Sequence, residues 1–121
     1  MATIGVDLDG TITSAPEQML EIMVALRAAS HRVLILTGIS DDPVTQADFD
    51  AKVALLTSLG CGQCWDAMYI LPHPPGADLP TMKAQLCQDL GVTVLIDNDK
   101  GNARACMAVV PLVLVPWASR V

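Results

Sequence analysis

Three apolar runs in this sequence end in residues able to handle an anion and a cation together. Thr3 to Leu8 leads into Asp7-Leu8-Asp9-Gly10-Thr11, Arg32 to Thr37 ends at Thr37-Gly38, and Val92 to Ile96 ends at Asp97-Asn98-Asp99. Lys83 lies on the segment feeding the third run. Carboxylates in close pairs suit a divalent cation, and a hydroxyl and an ammonium suit anionic oxygens. An extended dipeptide advances about 6.5 Å, so Asp7 and Asp9 are spaced to flank a group of phosphoryl size. Backbone N–H groups after Gly10 and Gly38 would add donors for an anion.

The runs that carry these residues are continuously apolar and rich in β-branched side chains, the mark of strands buried on both faces. Five are readable: 3–8, 32–37, 67–71, 92–96 and 112–115. Between them, helical spacing is read over 16–30, 47–59, 79–90 and 102–109, with Pro16 and Glu17 suited to a first turn and Gly60 and Gly91 to helix ends. Strands alternating with helices predict a three-layer, Rossmann-like α/β domain around a five-stranded parallel sheet. In such a sheet ligands sit beyond the carboxyl ends of the strands, where the three sets of residues fall.

Composition agrees with a single packed domain over 1–121. The chain has 121 residues, 52% hydrophobic and 17% charged, with mean hydropathy +0.46; a disordered chain would be far less apolar. Seven basic against 13 acidic residues leave a net charge of −6. Nucleic acid and anionic membrane are therefore disfavoured partners, although a polynucleotide end stays open as a ligand. The apolar stretch Ala108–Ala118, broken by Pro111 and Pro116, is well short of the about 20 residues of a spanning helix. No leader is read at the start, and the expected location is the cytoplasm, with Cys61, Cys64, Cys87 and Cys106 as thiols.

In order and spacing, Asp7-Leu8-Asp9-Gly10-Thr11, Leu36-Thr37-Gly38, Lys83 and Asp97-Asn98-Asp99 resemble the four motifs of the haloacid dehalogenase-like superfamily. The resemblance covers nearly the whole chain and implies a phosphatase. It makes Asp7 the nucleophile that forms an aspartyl-phosphate and Asp9 the general acid and base. Thr37 and Lys83, with the Gly10, Thr11 and Gly38 backbone, would hold the phosphoryl group. Mg²⁺ is the implied cofactor, held by the Asp7 carboxylate, the Asp9 carbonyl and Asp97. Asp99 and Asn98 are candidates for a further ligand, because the fourth motif departs from the usual acid pairs. Gaps too short for a cap domain imply an open site, a phosphorylated small molecule or macromolecule as substrate, and a homo-oligomer left open as the source of a lid.

Blander readings stand beside these. Asp9-Gly10 alone fits a type I′ hairpin turn. Asp99 fits a helix-terminal acid. Cys61-Gly62-Gln63-Cys64 has no further tightly spaced ligands for zinc, and incidental buried thiols are its main reading. His73, in the loop Pro72-His73-Pro74-Pro75-Gly76, is a candidate substrate contact. A binding or regulatory module that keeps a phosphate or metal pocket without efficient turnover is the alternative to the phosphatase. A phosphoacceptor receiver domain fits less well, because its acceptor Asp is missing at the end of the third strand.

Overall fold

The computed structural model describes residues 1–116. Residues 117–121 lie outside that description, and with them the end of the Ala108–Ala118 stretch and the last residues of the 1–121 domain. The elements run β1 (Thr3–Val6), α1 (Pro16–Ala28), β2 (Arg32–Ile39), α2 (Gln46–Ser58), β3 (Ala67–Pro72), α3 (Leu79–Leu90), β4 (Val94–Ile96), α4 (Lys100–Cys106) and β5 (Leu112–Leu114). All strand pairs are parallel, in the order β3-β2-β1-β4-β5. The predicted three-layer, Rossmann-like class and its five-stranded sheet are therefore present.

The layers follow from the two-residue period of the strands. On β2, Val33 and Ile35 face one core with Ile4, Val6, Met19, Met23 and Leu56, which brings in α1 and α2. Leu34 and Leu36 face the other with Cys87, Leu95, Cys106 and Val110, which brings in α3 and α4. Both faces of the central strands are thus covered, which is why β2 reads as an unbroken apolar run. At about 25 cal/mol per Å² of apolar area removed from water, these two clusters are the main source of stability.

Local chemistry ends the helices where the sequence suggests. Thr45 caps α2 through a reciprocal box: its backbone N–H donates to Asp48 Oδ2 at 2.8 Å, and its hydroxyl accepts from the Asp48 N–H at 3.3 Å. Asp78 caps α3, which Gly91 closes in the left-handed region at φ +67°. Asp99 caps α4, accepting from the Asn102 N–H at 2.8 Å. That cap starts α4 at Lys100, two residues before the start that spacing suggests.

The main departure is at the end of β1. The predicted strand runs to Leu8, but the ladder stops at Val6, and Leu8–Ile12 forms a wide helical turn. Inside it Asp9 (φ −73°, ψ 121°) and Gly10 (φ 82°, ψ −12°) have the angles of a type II turn, not the type I′ turn of a hairpin. Position 10 therefore needs glycine, and a side chain there would also collide with the Asn98 amide.

Gly10→Ala tests this directly. It is expected to cost about 1–3 kcal/mol in urea unfolding, with an unchanged denaturant slope because the exposed area on unfolding is the same. An unaltered midpoint would show that the turn relaxes freely.

Candidate functional site

Burial of charge marks the site. Asp7, Thr37, Lys83 and Asp97 all lie below a tenth exposure, at the carboxyl ends of β1, β2 and β4 and on the inner face of α3. Lys83 Nζ is 2.9 Å from Asp7 Oδ1 and 2.6 Å from Asp97 Oδ2. β1 and β4 are direct neighbours in the sheet, so their first residues past the ladder emerge side by side. α3 packs over them and delivers the lysine. Three residues far apart in sequence thus form one buried ionic triad.

The rest of Asp97 is occupied. Its Oδ1 accepts from the Asp99 N–H at 2.9 Å, and its Oδ2 lies 3.4 Å from the Asn102 amide nitrogen. Asp7 is less completely served: beyond Lys83, its Oδ2 meets only the Thr11 hydroxyl among the described residues, at 3.2 Å. Thr11 Oγ1 also lies 3.2 Å from Asn98 Oδ1 and accepts from the Asn98 N–H at 3.1 Å, which ties the turn to the end of β4.

The electrostatics follow. Burial pushes the Asp7 carboxyl up from 3.8 to about 6; Lys83 pulls it down, but Asp97 adds repulsion and the balance stays upward. Burial also opposes the charge of Lys83, yet the two carboxylates more than offset it and hold the ammonium above the usual lysine range. The lysine is therefore charged, and the site has one carboxylate more than its cation neutralises.

A small polar cavity of about 190 Å³ opens over this triad, lined by Asp7, Asp9, Gly38, His73, Lys83 and Asn98 among others. Thr37, next in sequence to the cavity-lining Gly38, is fully buried and does not itself line the cavity; its hydroxyl has no hydrogen-bonding partner among the described residues. His73 is placed by its backbone N–H, which donates to the Ile39 carbonyl at 2.8 Å. Its ring lies over Gly38, where an added methyl would stand 2.7 Å from His73 Cδ2. Glycine at 38 thus leaves room for the imidazole at the cavity wall, the position expected for a ligand contact.

Of the sequence-expected residues, Asp7, Gly38, Lys83, Asn98 and Asp97 lie in the triad or on the cavity wall, whereas Thr37 is buried without lining the cavity. Asp9 is turned outward, with its side chain 63% exposed and paired to Lys52 Nζ on α2 at 3.3 Å. Spacing carried no signal for Lys52, because its place at the rim depends on how α2 packs. Asp99 lines the cavity but spends Oδ1 on the helix cap. Cys61 and Cys64 are elsewhere, buried in the α1–α2 core. Cys64 Sγ donates to the Cys61 carbonyl at 3.3 Å, and burial pushes its thiol up to about 12, so it is unreactive.

Comparison with known proteins changes the functional assignment. No protein-family model matches the chain. A tRNA-2-methylthio-N(6)-dimethylallyladenosine synthase from Cereibacter sphaeroides is 33% identical over 98 residues, covering 77% of this chain and 22% of that protein. The chain thus spans only about a fifth of that relative. Among solved structures, a universal stress protein in complex with cAMP aligns with TM-score 0.62 and 14% identity, covering 98% of both chains. The Archaeoglobus fulgidus universal stress protein in complex with dAMP gives TM-score 0.61 and 11% identity, over 96% of this chain and 98% of that one. A universal stress family protein from Burkholderia pseudomallei gives 0.58 and 16%, over 96% of each.

At these identities the likeness is one of fold. It nonetheless overturns the haloacid dehalogenase-like assignment, and with it the reading as a hydrolase with Asp7 as nucleophile and Asp9 as general acid. The fold neighbours are universal stress proteins, two of them solved with nucleotides. In this structure Asp7 pairs with Lys83 inside the triad, and Asp9 pairs with Lys52 outside it. Among the described residues, no helix is long and apolar enough to cross a membrane.

The triad generates a paired prediction. Lys83→Met leaves two buried carboxylates unneutralised and should cost about 3–5 kcal/mol. Asp7 favours its proton more when folded than unfolded, so its contribution to stability is greatest below pH 3.8 and is lost as pH rises to about 6. Asp7→Asn should flatten that fall, measured as urea midpoints across pH 3.5 to 7. An unchanged pH slope in the variant would show that Asp7 is not the group responsible.

Proposed function

We propose that this chain is a binding or regulatory module for a small phosphate-bearing molecule of the nucleoside monophosphate class. The observation that carries the reading is the charged Lys83 lining the polar cavity; Thr37, whose buried hydroxyl has no partner among the described residues, directly precedes the cavity-lining Gly38. An ammonium and a hydroxyl are the donors an anionic oxygen needs, and a water-poor setting strengthens both. The complexes of fold neighbours with cAMP and dAMP support a nucleotide of this size.

Charge balance gives the ligand a companion. Asp7, Asp9 and Asp99 line the same cavity and repel a phosphate. A divalent cation removes that penalty, and Mg²⁺ suits the donors present. Among the described residues no three His, Cys, Asp or Glu side chains form a ready cage, and Mg²⁺ characteristically keeps waters and phosphate oxygens as most of its ligands. Asp7, whose buried carboxyl lacks full neutralisation, and Asn98 would hold it, because both line the cavity, whereas Asp97 is fully buried behind them. When bound, the ion would supply charge neutralisation between Asp7 and the phosphate. Lys83 and Thr37 would orient the phosphate oxygens, and His73 would close one side of the cavity.

Titration calorimetry and thermal shift with AMP, cAMP and inorganic phosphate, each with Mg²⁺ and with EDTA, test the proposal. AMP with Mg²⁺ is expected to bind and raise the melting temperature; a hundredfold excess over Kd adds about 2.7 kcal/mol. Lys83→Met should abolish the shift. No shift with any of the three ligands would overturn the proposal. So would Mg²⁺-dependent hydrolysis of p-nitrophenyl phosphate that Asp7→Asn removes.

A further inference from the structure

A second cavity, of about 180 Å³, lies on the other side of the Asp9–Gly10 turn. Its walls include Gly10, Thr11, Gln18, Met19, Ile22 and Pro116. Two features set it apart from an accidental dimple. It is joined to the polar cavity through one turn: Thr11, which lines the second space, reaches Asp7 Oδ2 and Asn98 Oδ1, on two residues that line the first, at 3.2 Å. Its character is also the complement of the first: apolar side chains dominate, and the rim carries the exposed Ile22 and the Gln18 amide.

The size is selective. An apolar cavity of about 150 Å³ accepts a benzene ring, so this one suits a flat ring system of similar thickness. Met19, nearly fully buried, offers a polarizable sulfur side chain to an aromatic face. The Gln18 amide has both a donor and an acceptor and can serve ring nitrogens or exocyclic groups. A phosphate in one cavity and a flat heteroaromatic ring in the other would straddle the Gly10–Thr11 turn, against which the Asn98 amide packs.

We infer that the cavity formed by the Gly10–Thr11 turn, α1 and Pro116 is the base subsite for the ligand whose phosphate lies over Lys83. This inference rests on the binding function proposed above and adds where the base goes. The other roomy space beside the site is a cleft of about 520 Å³ along α3, lined by Leu71, Met82 and Leu86. It is bordered by the carboxylates of Asp78 and Asp89, whereas no charged residue lines the smaller cavity among the described residues.

Calorimetry on the whole chain with Mg²⁺, comparing AMP with inorganic phosphate, separates the outcomes. In the wild type AMP should bind about tenfold tighter than phosphate, the gain from burying one apolar ring. Ile22→Asp and Gln18→Ala, both at exposed positions, should bring AMP down toward phosphate while leaving phosphate affinity unchanged. AMP binding unaffected by both variants but weakened by Met82→Ala would overturn the assignment and move the base to the α3 cleft. Phosphate binding with no advantage for AMP would overturn the base subsite and leave the phosphate site standing. Failure of both ligands would overturn the parent proposal and this one with it.

Discussion

One buried ammonium organises this molecule. Lys83 is almost completely removed from water, and its charge is tolerable only because Asp7 and Asp97 stand within 3 Å. Desolvation of an ion is costly, so the three groups must be placed together or not at all. That requirement links the ends of β1 and β4 to the inner face of α3. It also leaves a residual negative charge at the carboxyl edge of the sheet, the feature on which the proposed pairing of a cation with a phosphate rests.

The Leu8–Ile12 turn is the second constraint. A chain leaving β1 in a straight line would carry Asp9 and Thr11 away from β4. The type II geometry at Asp9–Gly10 reverses it, so that Thr11 returns to Asp7 and Asn98. The reversal leaves Asp9 exposed, and its partner becomes Lys52 at the rim. An exposed pair of this kind contributes little to stability and can open for a ligand. The same turn separates a polar cavity from an apolar one, a division that matches a molecule with a charged end and a flat end.

The functional reading therefore moves from turnover to binding. A motif of two aspartates, a threonine, a lysine and an aspartate describes a set of charges, and charges alone do not specify what they do to a ligand. Fold neighbours solved with cAMP and dAMP supply the direction in which the reading is corrected. The groups themselves keep their places. Their proposed role becomes that of neutralising and orienting a phosphate, in place of breaking a bond to it.

Much of this was legible in the chain alone. Continuous β-branched runs could be buried only in a sheet covered on both faces, so the α/β class followed from them. The positions of Asp7, Thr37 and Asp97 at the ends of those runs placed them at one edge, because strand ends in a parallel sheet point the same way. Lys83 on the helix before β4 followed for the same reason. Tertiary structure alone decided the rest. Whether Asp9 points in or out depends on the turn and on α2, whose Lys52 is 43 residues away. For Asp99 the sequence offered both a metal ligand and a helix-terminal acid, and the structure shows it capping α4. The two cavities exist only where separate elements meet, and periodicity records which side of a strand is buried, not the space left between one element and the next.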